Sequence, residues 1–162
     1  LSQEFTIAGF AALLGEMTLK ADEATHHALT KAAKIVQAEA KSEIGHYQGE
    51  IGGFPAWAEL ADSTKEDRLR RGFTENDPGL RSGEMRDSIE TTVHDHEATI
   101  GSDDDKLVYF ELGTVKQPPR TVLAGALIRK EDDVVKEIGS TFVGRLTGVG
   151  VHGGALPIVE GD

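Results

Sequence analysis

The chain has no cysteine. That excludes disulfides, thiolate metal sites and cysteine nucleophiles. Nor does any apolar run approach the roughly 20 residues of a membrane-spanning helix. The apolar stretch FTIAGFAALLG, near residue 1, lacks the basic flank of a secretory signal, and the residues after it continue a helical pattern. The expectation is therefore a soluble protein made in the cytoplasm. Basic residues are also scarce. Seventeen Lys and Arg stand against 28 Asp and Glu, a formal charge of −11. Affinity for phosphate comes mainly from lysine and arginine, so the charge argues against a general nucleic-acid binder. The G-x-S-x-G elbow, the H-E-x-x-H zinc helix and the P-loop are likewise missing.

What is present is 162 residues, enough for one domain that buries about 70% of its unfolded surface without staples. Phe10, Leu13, Leu14, Met17, Ala21, Ala24, Ala28, Ala32, Ile35 and Ala38 keep helical spacing opposite Lys20, Glu23, Lys31, Lys34 and Lys41. This predicts a long helix over 10–44, stopped by Gly45, with an alanine-rich stripe suited to close helix packing. Residues 45–56 are glycine-rich and lack a period, hence a loop. Ser63-x-x-Glu66 reads as a capping box opening a short helix that ends at Gly72. Asp77-Pro78-Gly79 is turn chemistry. In GLRSGEMRDSI, Ser82 is placed to cap a short helix bearing Arg81 and Arg86.

Thr91–Val93 and Ala98–Ile100 flank a polar turn and predict a β-hairpin. The segment DDDKLVYFELGT supplies an acidic loop followed by either one more strand or a helical turn. Pro118 and Pro119 enforce an extended entry. Leu123, Ala126, Leu127, Val134, Ile138 and Phe142 mark a second long helix. The expected fold is thus α+β, a long N-terminal helix and a C-terminal helix packed on a small antiparallel sheet with short intervening helices. It spans 1–147, and 148–162 form a flexible glycine-rich tail.

Three patterns carry formal chemistry. Gly148-x-Gly150-x-x-Gly153 matches a dinucleotide fingerprint, but it follows a helix instead of joining a strand to one. His94-Asp95-His96 and Asp103-Asp104-Asp105 have metal-ligand chemistry, yet neighbours in a tight turn splay apart and no EF-hand spacing is present. His26 and His27 lie about 100° apart on a helix and are no i, i+4 metal pair. Neither a metal nor a cofactor is expected, and no catalytic residues stand out.

The order of several short motifs resembles the tail-completion, or head–tail joining, proteins of long-tailed phages, a group that includes minor-tail-protein-Z-like and virion morphogenesis proteins. The likeness covers roughly 15–145. It runs through Trp57, Leu60, Ser63, Thr64 and Lys65; then Leu80, Arg81, Ser82, Gly83, Arg86, Ser88 and Ile89; then Gly101 and Ser102; then Tyr109, Glu111, Gly113 and Thr114; and last Pro118, Pro119, Arg120 and Leu123. It departs at Thr121 and Val122, where proline and phenylalanine are usual, and lacks a tyrosine–alanine pair before Glu111.

The resemblance implies a structural virion protein of the neck, not an enzyme, made in the host cytoplasm. It would form a homo-oligomeric ring, with six copies as the number tail symmetry suggests. The ring would contact a head-completion or stopper protein and a tail terminator or tail tube, with DNA as non-specific cargo and no membrane. Trp57, Arg81, Arg86, Glu111, Pro119 and Arg120 are the assembly candidates. Arg81 and Arg86 either pair with carboxylates such as Glu111, or those of a neighbouring subunit, or simply solvate an exposed helix. Arg120, stiffened by two prolines, is expected to grip a carboxylate. Two other classes stay open: a metal-dependent enzyme using the 94–96 turn, and a protein-binding adaptor outside any virion.

Overall fold

Alanine at every fourth position sets the frame. The computed structural model describes residues 7–148, and in it α1 runs from Ile7 to Glu43, about 55 Å at 1.5 Å per residue. Ala24, Ala28, Ala32, Val36 and Ala40 are buried along one seam, small enough to let other backbones approach closely. Gly45 follows with φ +103°, a left-handed exit that favours glycine.

After α1 come α2 (Asp62–Arg70), the single turn α3 (Glu84–Asp87), and the strands β1 (Glu90–His94) and β2 (Glu97–Gly101). These are followed by α4 (Asp105–Leu112), α5 (Leu123–Arg129) and α6 (Glu131–Thr147). The architecture is α+β, as expected: a long helix, a two-stranded antiparallel sheet and a C-terminal helix. The strands pair from Glu90↔Gly101 to His94↔Glu97, closing a two-residue turn in which Asp95 takes φ 51°. Such a turn needs left-handed residues, and aspartate tolerates that conformation better than most.

Both partners of α1 run back toward its first residues. Pairing of Arg129 with Glu43, Lys130 with Glu39 at 3.9 Å, and Lys31 with Glu137 at 3.0 Å lays α6 antiparallel to α1. The hairpin follows the same course: Gln37 donates to the Ile89 carbonyl at 2.7 Å, and His96 at the tip meets Asp22 at 3.3 Å. The apolar core lies at the other end, where Val36, Ala40 and Ile44 meet Trp57, Met85, Ile89, Leu107, Phe110, Val122 and Ala126.

Several local expectations need correction. The helix expected from Ser63 starts at Asp62 after Ala61, with no side-chain cap. Its start is decided by the segment before it, which tertiary bonds to Trp57, Ala58 and Glu59 hold in place. Ser82 caps nothing either. Gly83, at φ +90°, is the residue that turns the chain into α3 and leaves Ser82 outside. The expected second long helix bends at Lys130 (φ −106°, ψ 9°) into α5 and α6. The bend falls where Arg129 and Lys130 are both drawn to carboxylates of α1. Between the two readings of 103–114, the helix holds, and Asp104 of the acidic run accepts from the Lys106 amide at 2.9 Å.

The expected tail lies outside the described residues from 149 on, and most of the Gly148–Gly153 pattern with it. Among the described residues no helix is long and apolar enough to cross a membrane.

Candidate functional site

Four of the six residues singled out in the sequence meet at one junction, where the chain doubles back from α4 into α5. Gly113 makes the reversal possible. Its φ is +74°, and a Cβ there would sit 2.7 Å from the Pro119 nitrogen and 2.8 Å from the Gln117 carbonyl. Thr114 and Gln117 close the loop with reciprocal backbone bonds of 2.8 and 3.2 Å. Pro119 thereby packs against the start of the loop, and the Arg120 amide donates to the Phe110 carbonyl at 2.8 Å.

Glu111 then serves the helix that follows. Its carboxylate accepts from the amides of Val122, Leu123 and Ala124 at 2.5, 2.9 and 3.0 Å. These are the free N–H groups that every helix start leaves over, and a negative charge there also suits the helix dipole. Arg120 points the other way. Only 3% exposed, its guanidinium donates to the Ala58 carbonyl through Nε (3.0 Å) and Nη2 (2.7 Å), and to the Glu59 carbonyl at 3.2 Å. It also lies over the Phe110 ring, 5.5 Å from its centroid. The expected carboxylate partner is thus replaced by two backbone carbonyls. The planar fork fits one carbonyl from two nitrogens, which a carboxylate is not needed for. Burial pulls the guanidinium below its usual pKa. Trp57 completes the junction, edge-on to Phe110 at 5.3 Å and donating from Nε1 to the Thr121 carbonyl at 3.3 Å.

Arg81 and Arg86 lie elsewhere, and neither meets Glu111. Arg81 pairs with Asp67 of α2 at 2.9 Å and stacks on Phe73. Asp67 also receives Arg71 at 3.0 Å and Arg70 at 3.4 Å. Hydrogen bonding from Arg71, then the other cationic contacts, holds its carboxyl below the ordinary range. Among the described residues Arg86 pairs only with its neighbour Asp87, at 2.9 Å, on the surface. The motif serines have a clearer role: Ser88 and Ser102 hydrogen-bond at 2.6 Å, tying the exit of α3 to the end of β2.

Two buried ionic residues give no signal in the sequence. Arg68, inside the run Arg68-Leu69-Arg70-Arg71, is the buried member and donates to the carbonyls of Thr74 (2.7 Å) and Leu80 (2.5 Å). Glu43, 2% exposed, pairs with Arg129, while its Oε2 has no hydrogen-bond partner among the described residues. Burial outweighs the attraction of Arg129 and raises the Glu43 carboxyl to about 7.

The histidines do not converge on one point. His94 faces Asp95 at 3.0 Å and His96 faces Asp22, all exposed. Among the described residues no three His, Asp or Glu side chains are grouped to hold a metal ion.

The remaining surface feature is apolar. Leu14, Met17 and Leu19 are exposed near one end of α1, and Val108, Tyr109, Leu112 and Val115 around the junction at the other. Compared with models of protein families, with curated proteins and with solved structures, the chain matches none.

Proposed function

We propose that this protein is a structural component of the neck of a tailed phage virion, a ring-forming tail-completion protein that joins the tail to the head and lets DNA pass. The reading starts from the collinear motifs and is supported most by one observation: exposed apolar surface at both ends of a long, stiff helix. A subunit with two different sticky ends makes heterologous contacts, and such contacts close into rings when the rotation allows. The junction supplies the rigidity this needs, since Trp57, Glu111, Pro119 and Arg120 hold the loop and α5 in one geometry. Partners on either side of the ring are a head-completion or stopper protein and a tail terminator or tail tube. A surplus of carboxylates suits the wall of a DNA channel, because it repels phosphate and lets the genome slide.

Complementation of a phage lacking this gene, scored by electron microscopy, tests the reading. Without the protein, finished heads and finished tails should accumulate unjoined, and the wild-type chain should restore virions. Normal virions in its absence would overturn it.

A further inference from the structure

We infer that the first turns of α1 dock into the groove beside the α4–α5 junction of a second copy of this chain. The inference rests on the proposed ring only for closure; the contact itself is argued from the surfaces. Among the described residues the hairpin tip, His96, meets α1 at Asp22, and α6, which crosses Lys31 at Glu137 and ends ten residues later at Thr147, reaches about the same level. The helix therefore projects as an arm. From Ile7 to Leu19 the sequence carries one charge, Glu16, and Leu14, Met17 and Leu19 are exposed, Leu19 at 68%. A helix so poor in charge belongs inside an interface.

At the other end, residues 112–119 line an open groove. Leu112, at 73% exposure, and Val115 are apolar and exposed there beside Pro118 and Pro119, and Lys116 is its one charge. The Lys116 ammonium has no ion pair among the described residues, whereas Glu16 is held only by Lys20 on the same helix at 2.7 Å.

Three arguments select a second copy as the occupant. The arm cannot reach its own groove, because Leu14 and Ile44 are separated by about 45 Å of rigid helix, and the groove is flanked in the chain by Phe110 and Val122, which share the core with Ile44. The two surfaces carry one charge each, of opposite sign. And for a chain of −11, this pairing brings copies together where few carboxylates oppose one another. One face of the arm, about 20 Å long and 10 Å across, gives a contact of roughly 400 Å² counting both sides. That is below the ~1,200 Å² of stable complexes, so a single contact is weak and assembly depends on several acting together.

The absence of cysteine makes the test clean. Leu14→Cys and Val115→Cys chains, each first shown to melt like the wild type, are mixed and treated with a short bis-maleimide. The expected product is a covalent dimer several-fold more abundant in the mixture than in either variant alone, and a ladder from the double variant. Glu16→Lys or Lys116→Glu should each lower the yield several-fold, and the two charge reversals mixed together should restore it. Dimers from Leu14→Cys alone at equal yield would mean arm-to-arm pairing and overturn the inference. So would a mixed yield no higher than with cysteine at the exposed Glu75. Either result with phage complementation intact would remove this contact and leave the neck reading standing.

Discussion

Replacing Arg120 separates a residue that holds the fold from one that only decorates it. Its guanidinium makes three hydrogen bonds to the carbonyls of Ala58 and Glu59, lies over Phe110, and has no carboxylate within ion-pair distance among the described residues. Hydrogen bonds from a charged donor contribute about 1.5–3 kcal/mol each, and the ring contact adds about 0.5–2 kcal/mol. Against this stands the cost of holding a cation out of water without a counter-charge, which alanine removes. Water can also reach the freed carbonyls, because Ala58 and Glu59 are exposed residues. The net expectation for Arg120→Ala is a loss of about 2–4 kcal/mol. Arg120→Met, which keeps the stem against Phe110, should lose nearly as much if the hydrogen bonds dominate. Arg120→Lys should lose about half, since one ammonium cannot both span two carbonyls and stack. Arg86→Ala, removing an exposed pair with Asp87, should cost under about 0.5 kcal/mol. Urea unfolding followed by circular dichroism reads all four, provided the slope with denaturant is unchanged. A cost below about 1 kcal/mol for Arg120→Ala would refute the reasoning and return Arg120 to the surface contacts.

Glu111→Ala should cost about 2–4 kcal/mol by stripping the start of α5 of its acceptor; hydrogen exchange should speed up first at Val122, Leu123 and Ala124, and unchanged exchange there would disprove the cap. Gly113→Ala should destabilise by more than about 2 kcal/mol, because strain at positive φ adds to a collision with backbone that cannot give way; a thermal melt like the wild type's would contradict the geometry. For Glu43, the folded carboxyl at about 7 lies above the ordinary 4.5, so the folded chain binds the proton more tightly. Stability should therefore fall as pH rises from about 4.5 to 7, by up to about 3 kcal/mol, and level off above. Glu43→Gln should abolish that slope in urea titrations run across the window, and an unaltered slope would assign it to another group. Zinc titrated calorimetrically should give no stoichiometric isotherm; a one-to-one isotherm abolished by His94→Ala and His96→Ala would revive the metal-enzyme alternative.

Periodic features were legible in the sequence by itself. The helical recurrence from Phe10 to Ala38, ended by Gly45, specified α1, although the buried seam passes through Val36 and Ala40 and leaves Ala38 exposed; the residues flanking a polar turn specified the hairpin. Both are set by contacts near in sequence or by one repeated spacing, so a local pattern suffices. The motif residues Trp57, Glu111, Pro119 and Arg120 were also picked out, but their partners were not. Arg120 reaches a carbonyl 62 residues away, and Glu111 serves amides 11 to 13 residues on. A backbone carbonyl leaves no trace in residue identity, which is why a carboxylate was expected in its place. The caps failed for a related reason: Ser63 and Ser82 have capping chemistry, yet the helix starts were set by a pinned preceding segment and by a left-handed glycine. Glu43 and Arg68 show the limit most plainly. Of 45 charged residues three are buried among those described, Glu43, Arg68 and Arg120, and nothing local marks the first two, because burial is decided by which elements pack over a position, and only the tertiary structure contains that.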